Sequence, residues 1–109
     1  MTSFAIPSSF YLFGQKITVK MVDMLVENED STGLSLYRKN VIQLQKQNAG
    51  ISRPQSQMES TFLHELVHYI FFMLGKDDLR KDEVLVDNIA KLLHQAMTTT
   101  EYHITEGTV

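Results

Sequence analysis

The sequence predicts an α+β domain, a small antiparallel sheet of about three strands followed by two helices. Three observations predict it. From Lys16 the residues alternate, with Ile17, Val19 and Met21 on one side and Thr18 and Lys20 on the other, which is the period of a half-buried strand. Gln57 to Leu74 contains no breaker and ends at Gly75, a residue type that closes helices. Asp82 to Met97 places Leu85, Ile89, Leu92, Leu93 and Ala96 on one helical face, as an amphipathic helix requires.

The elements follow in order. The first strand falls within residues 10–23. Asn28 to Gly33 is polar and ends in Gly, so it reads as a turn. Leu34 to Arg38 and Val41 to Gln45 make two more short strands around Lys39-Asn40, and Asn48-Ala49-Gly50 closes that section. After Pro54 the period changes. Phe62, Leu63, Leu66, Val67, Ile70, Phe71, Met73 and Leu74 surround the first helix on most faces, which predicts a buried central helix. A charged turn, Lys76 to Lys81, leads to the second helix. The tail from Thr98 to Val109 is rich in Thr and is expected to be loose or partly docked. Met58, Met73 and Met97 read as core and rim fillers.

A chain of 109 residues makes one domain. Its net charge of −3 and lack of any basic run argue against a nucleic-acid partner. Glu27 to Asp30 and Asp77 to Glu83 carry the acidic excess and read as solvated turns. There is no cysteine, which excludes disulfides, a Cys-based metal site and a Cys nucleophile. Any metal must be held by His and carboxylates. Met1 to Phe13 lacks the basic start and apolar run of a signal peptide. Leu66 to Leu74 is too short to span a bilayer. A cytoplasmic protein with no membrane partner is the default expectation.

The chemistry concentrates in His64-Glu65-Leu66-Val67-His68. Residues four apart on a helix stack on one side, one turn above the other. His64 and His68 therefore present two imidazoles to one point, as a zinc ion requires. Glu65 reaches a neighbouring part of that face, the position of a general base for a metal-activated water. The motif also interrupts an apolar stretch, where two His and a Glu without a task would carry a desolvation cost. A pair of hydrogen-bonded helix histidines without metal is the plain alternative.

A catalytic zinc needs a third protein ligand and an open position. His94, His103, Asp77, Asp78, Asp82, Glu83 and Asp87 all lie downstream. Glu83 is favoured because it opens the second helix, which a short connection can fold back against the first. Alone it would read as a solvated first-turn carboxylate favoured by the helix dipole. Asp87, four residues on, can accept the free ring N–H of a ligand histidine. His94 lies about 16 Å further along the helix axis than Glu83 and reads as a surface or packing residue.

These residues resemble a known family. His64-Glu65-Leu66-Val67-His68 followed by Glu83-Val84-Leu85-Val86-Asp87 is similar to the two helix motifs of the gluzincin metallopeptidases. The strand-then-two-helix layout most resembles the minigluzincins, minimal zincin-like domains, and small phage or prophage proteins of similar pattern. The stretch Glu83 to Leu93 is also similar to the second helix of regulatory peptidases that cleave phage and stress repressors. The resemblance covers roughly residues 10–97. It implies a Zn2+ held by His64, His68 and Glu83, with Glu65 as general base and Asp87 supporting His64. Asp82 stands where the family often has Asn. The longer gluzincins steady the oxyanion with a Tyr or His from a larger C-terminal subdomain, for which this chain has no room.

Tyr102 and His103, in the tail, are the candidates for oxyanion contact. His103 is also a candidate plug for the open metal position, against the ordinary expectation of a solvated tail. Tyr37, Arg38, Lys39 and Lys46 are candidate groove residues, although charges at strand edges also guard against aggregation. Leu34 to Arg38 or Val41 to Gln45 would offer a sheet edge to an extended peptide or protein substrate. The expected function is a zinc metallopeptidase. The alternatives are a non-catalytic or latent zinc-binding regulatory or adaptor protein on the same fold, and a metal-dependent hydrolase acting on something other than a peptide.

Overall fold

The computed structural model describes residues 3–25 and 32–103. The expected acidic turn at Glu27 to Asp30, most of the turn at Asn28 to Gly33, and the tail beyond His103 lie outside the described residues. The α+β class holds, but the sheet is larger than expected and mixed. Strands β1 (Ser9–Leu12), β2 (Gln15–Val22), β3 (Gly33–Leu36) and β4 (Val41–Gln45) form one sheet in the order β1-β2-β4-β3. β5 (Gln47–Asn48) and β6 (Ile51–Ser52) form a separate small hairpin.

The expectation of an antiparallel three-stranded sheet is thus corrected on two counts. β1 is an additional strand. It pairs with β2 across a two-residue turn at Phe13 and Gly14, with φ of 48° and 76°. Positive φ at both central residues is the hairpin geometry that follows the sheet twist, but Phe at the first is no turn signal. Secondly, β2 and β4 are parallel, with Thr18 opposite Val41 and Val22 opposite Gln45. Beyond β2 the chain lays down β3 at the far edge. It then reverses through a 3₁₀ turn (Tyr37–Lys39) and a left-handed Asn40, and returns as β4 between the two. The sequence pattern finds β3 and β4 but carries no signal for which strand lies inside.

α1 (Gln55–Met73) crosses one face of the sheet. Ile17 and Val19 of β2 and Ile42 and Leu44 of β4 meet Met58, Phe62, Leu63, Val67 and Tyr69 of α1 in the core. Met21, expected on the buried side of β2, is exposed. The Tyr69 hydroxyl donates to Tyr37 O at 3.2 Å and Asn40 Oδ1 at 3.3 Å, fastening the β3–β4 turn to α1. Gly75, at φ 70°, ends the helix as its sequence predicts.

The charged turn contains a third helix, α2 (Asp77–Arg80), before α3 (Glu83–Thr98). Asp82 caps α3 by accepting from the Leu85 N–H at 3.1 Å, a typical N-cap bond. The buried face of α3 differs from the one predicted. Val86, Ala90 and Thr98 are buried, whereas Leu92 is 68% exposed and Leu93 and Ala96 are exposed. Leu85 and Ile89 lie at intermediate depth. At 100° per residue Leu92 stands about 180° from Glu83. Burying the Leu92 side would have turned Glu83 outward. Thr98, assigned to the tail by sequence, is the buried last residue of the helix.

Candidate metal centre

α1 and α3 bring three donor groups together. His64 and His68 sit one turn apart, with ring centroids separated by 4.8 Å and their Nε2 atoms by 3.1 Å. Glu83 spans both. Its Oε2 lies 3.2 Å from His64 Nε2 and its Oε1 lies 3.2 Å from His68 Nε2. The donor atoms of His64, His68 and Glu83 all fall within 4.8 Å of one another, and this group can hold a metal ion. The remaining downstream candidates, His94, His103, Asp77, Asp78, Asp82 and Asp87, are not in it.

Asp87 sits on the other ring nitrogen of His64, Oδ1 to Nδ1 at 3.7 Å. That contact is longer than a hydrogen bond, and the firmer bond of Asp87 is to Lys91 Nζ at 2.8 Å. The Lys91 bond is the chief reason the Asp87 carboxyl is held below its ordinary pKa. Asp87 thus faces the correct nitrogen, at a distance greater than direct support requires.

Glu65 lies beside the donors, lining the same openings as His64, and its carboxylate meets the sheet at β3. It is 7% exposed, and Ser35 Oγ donates to its Oε1 at 2.8 Å. Burial pushes the carboxyl above its ordinary pKa. The Ser35 bond and the His68 ring pull it down, and the Glu83 carboxylate pushes it up again. Gly33 makes this approach of strand to helix feasible. A Cβ there would stand 2.6 Å from Thr61 Cγ2 and 2.9 Å from Glu65 Cγ. Neither Ser35 nor Gly33 was marked by sequence. By sequence Gly33 reads as the end of a turn, and no local pattern pairs Ser35 with Glu65.

Two openings share His64 and Glu65. One is lined by Thr32, Gly33, Ser60, Thr61 and Asp87. The other, a cleft of about 280 Å³, is lined by Leu34, Ser35, Tyr37, His68, Arg80, Lys81 and Glu83. β3 forms the rim and, among the described residues, is one of the two edge strands of the sheet, β1 being the other. β4, the other candidate edge, is interior. Because Thr32 O accepts from Gln45 N–H, alternation along β3 turns the backbone of Leu34 and Leu36 toward β4 and that of Ser35 toward the open side.

Of the candidate groove residues, Tyr37 lines the cleft. Arg38 and Lys39 border an adjacent groove, and Lys46 pairs with Asp23 at 3.5 Å. Tyr102 is 86% exposed and His103 is exposed. Neither lines either opening. His94 is a packing residue with a specific partner. Its Nε2 lies 2.9 Å from Oε1 of Glu59, a carboxylate only 1% exposed. The Phe4 N–H donates to the other Glu59 oxygen at 3.3 Å. Sequence reasoning missed Glu59, although a carboxylate one turn before Leu63 on the buried face is a signal that asks for a partner.

No protein-family model, curated protein or solved structure matches this chain.

Proposed function

We propose that this chain is a zinc-dependent metallopeptidase of minimal, gluzincin-like type, with His64, His68 and Glu83 as zinc ligands and Glu65 as general base. The observation that carries the reading is the spacing of the donors. A tetrahedron built on zinc bonds of about 2.0–2.1 Å has edges of roughly 3.3–3.4 Å. The Nε2–Nε2 and Nε2–carboxylate separations of 3.1 and 3.2 Å fit those edges. Two imidazole nitrogens and one carboxylate are a catalytic donor set, which leaves a fourth position for water or substrate.

Zinc held there supplies a Lewis acid that acidifies water and polarises a carbonyl. The chain's own residues do the rest. Glu65 accepts the proton of the attacking water and passes it to the leaving amine nitrogen. Its burial raises the carboxyl's hold on a proton, and the Ser35 hydroxyl at 2.8 Å keeps it oriented. The outward N–H and C=O of Ser35 give an extended peptide two main-chain hydrogen bonds beside the donors.

The test joins metal content to turnover. Wild type should carry about one zinc per chain and cleave unfolded protein substrates. Glu83→Ala should lose or weaken the zinc. Glu65→Gln should keep zinc and lose activity by about 10²–10⁴-fold, the usual contribution of general base catalysis. Zinc bound by wild type without cleavage of any substrate would favour the non-catalytic regulatory reading, and unchanged zinc in Glu83→Ala would remove Glu83 from the ligand set.

A further inference from the structure

The connection between the two long helices does more than reverse the chain. α2 delivers Arg80 and Lys81 to the wall of the same 280 Å³ cleft that His64, Glu65, His68 and Glu83 line. Arg80 is held in place. Its guanidinium carbon lies 5.3 Å from the centroid of the Tyr37 ring. That ring in turn stacks on Phe72, at 4.4 Å and 19°. Arg80 Nε donates to Asp77 Oδ1 at 3.4 Å, and the Arg80 side chain is only 23% exposed. A guanidinium offers five N–H donors in a fixed fork. Asp77 is two-thirds exposed and engages one of them, a surface pair that holds weakly, and the Tyr37 hydroxyl engages another; the rest of the fork is left for a ligand.

The charge of the cleft points the same way. Its carboxylates are Glu65 and Glu83, and its cations are Arg80 and Lys81. A divalent ion in the triad leaves the cleft with an excess of positive charge. Arg is the residue best shaped to take a planar carboxylate with two parallel bonds. Its stack on Tyr37 limits the side-chain freedom that would otherwise be lost on binding. Tyr37 follows directly on the edge strand β3, so Arg80 lies where a peptide paired to that edge would continue.

We propose that Arg80 and Lys81 form a carboxylate-binding subsite of this cleft, so that the preferred substrate is a peptide with an acidic group close to the bond that is cut. The substrate preference rests on the peptidase reading; the carboxylate site needs only the bound metal and the two cations, not turnover. The acidic group has two sources, an Asp or Glu side chain or a terminal carboxylate, and small probes separate them.

The experiment is an NMR titration of the zinc-loaded protein with N-acetyl-glutamate amide, N-acetyl-glutamine amide and N-acetyl-alanine with a free carboxylate. The glutamate probe should bind wild type about tenfold more tightly than its neutral twin, with the largest shifts at Arg80 and Lys81. Arg80→Gln should lose most of that preference and Arg80→Gln/Lys81→Gln all of it, at unchanged zinc content. Equivalent Arg80-dependent binding by N-acetyl-alanine alone would support the site and identify a chain terminus as its source. Two results would overturn it: no preference for either carboxylate over the amide, or a preference that survives in the double variant, where zinc alone would explain it. The shift map in wild type decides the matter even if the variants unfold, since shifts centred away from Arg80 and Lys81 also overturn the site. Cleavage is measured separately, so the subsite can hold in an inactive chain and fail in an active one.

Discussion

At the scale of single residues, Gly33 decides how closely β3 approaches Glu65. The space its missing side chain leaves is taken by Thr61 and Glu65. Gly33→Ala should therefore push β3 off α1, at a cost of about 1–3 kcal/mol from overpacking. Denaturant unfolding of the variant reads this directly, and an unchanged midpoint would show that the strand gives way freely. The two histidines and Glu65 were legible in the sequence because a four-residue spacing on a helix is itself a geometric statement. Glu83 was legible only by joining two helices in thought. Ser35, Glu59 and Arg80 were not, because each owes its role to a residue at least thirty positions away or, for Arg80, to a cleft wall that exists only after folding.

At the scale of elements, α3 shows how a strong apolar stripe can mislead. Leu85, Ile89, Leu92, Leu93 and Ala96 form the more hydrophobic side, yet the helix buries Val86 and Ala90 against α1. Tertiary packing won over the pattern because Glu83 and His94 both find partners on α1 in that orientation. Val86→Ala should destabilise by about 1–3 kcal/mol, a core truncation. Leu92→Gln should stay within about 0.5 kcal/mol, as exposed substitutions do. Thermal melts of the pair test the facing; a larger loss at Leu92 than at Val86 would reverse it. The sheet was half legible. Alternation marked β2 and the two short segments after it, but parallel pairing of β2 with β4 depends on the path of the connection, which hydrophobic period does not encode.

At the scale of the whole molecule, the donors come from two helices that the chain joins through the short helix α2. A metal bound to the folded state alone stabilises by mass action, about 4 kcal/mol at a free concentration a thousandfold above Kd. Zinc should thus raise the melting temperature of wild type and a chelator should lower it, with Glu83→Ala showing little response to either. Scanning calorimetry with and without zinc checks this. A wild-type transition indifferent to zinc would mean that the metal does not link α1 to α3.

The buried Glu59–His94 contact gains a meaning from its place along this helix pair. It lies at one point of the α1–α3 seam, and Glu83 meets His64 and His68 at another. One fixed point would let α3 pivot. Two fixed points leave it no pivot and no sliding coordinate, since a slip of one turn, about 5.4 Å, would strand a buried carboxylate at one end and withdraw a donor at the other. The bite of the three donors is therefore set partly by a histidine that never touches them.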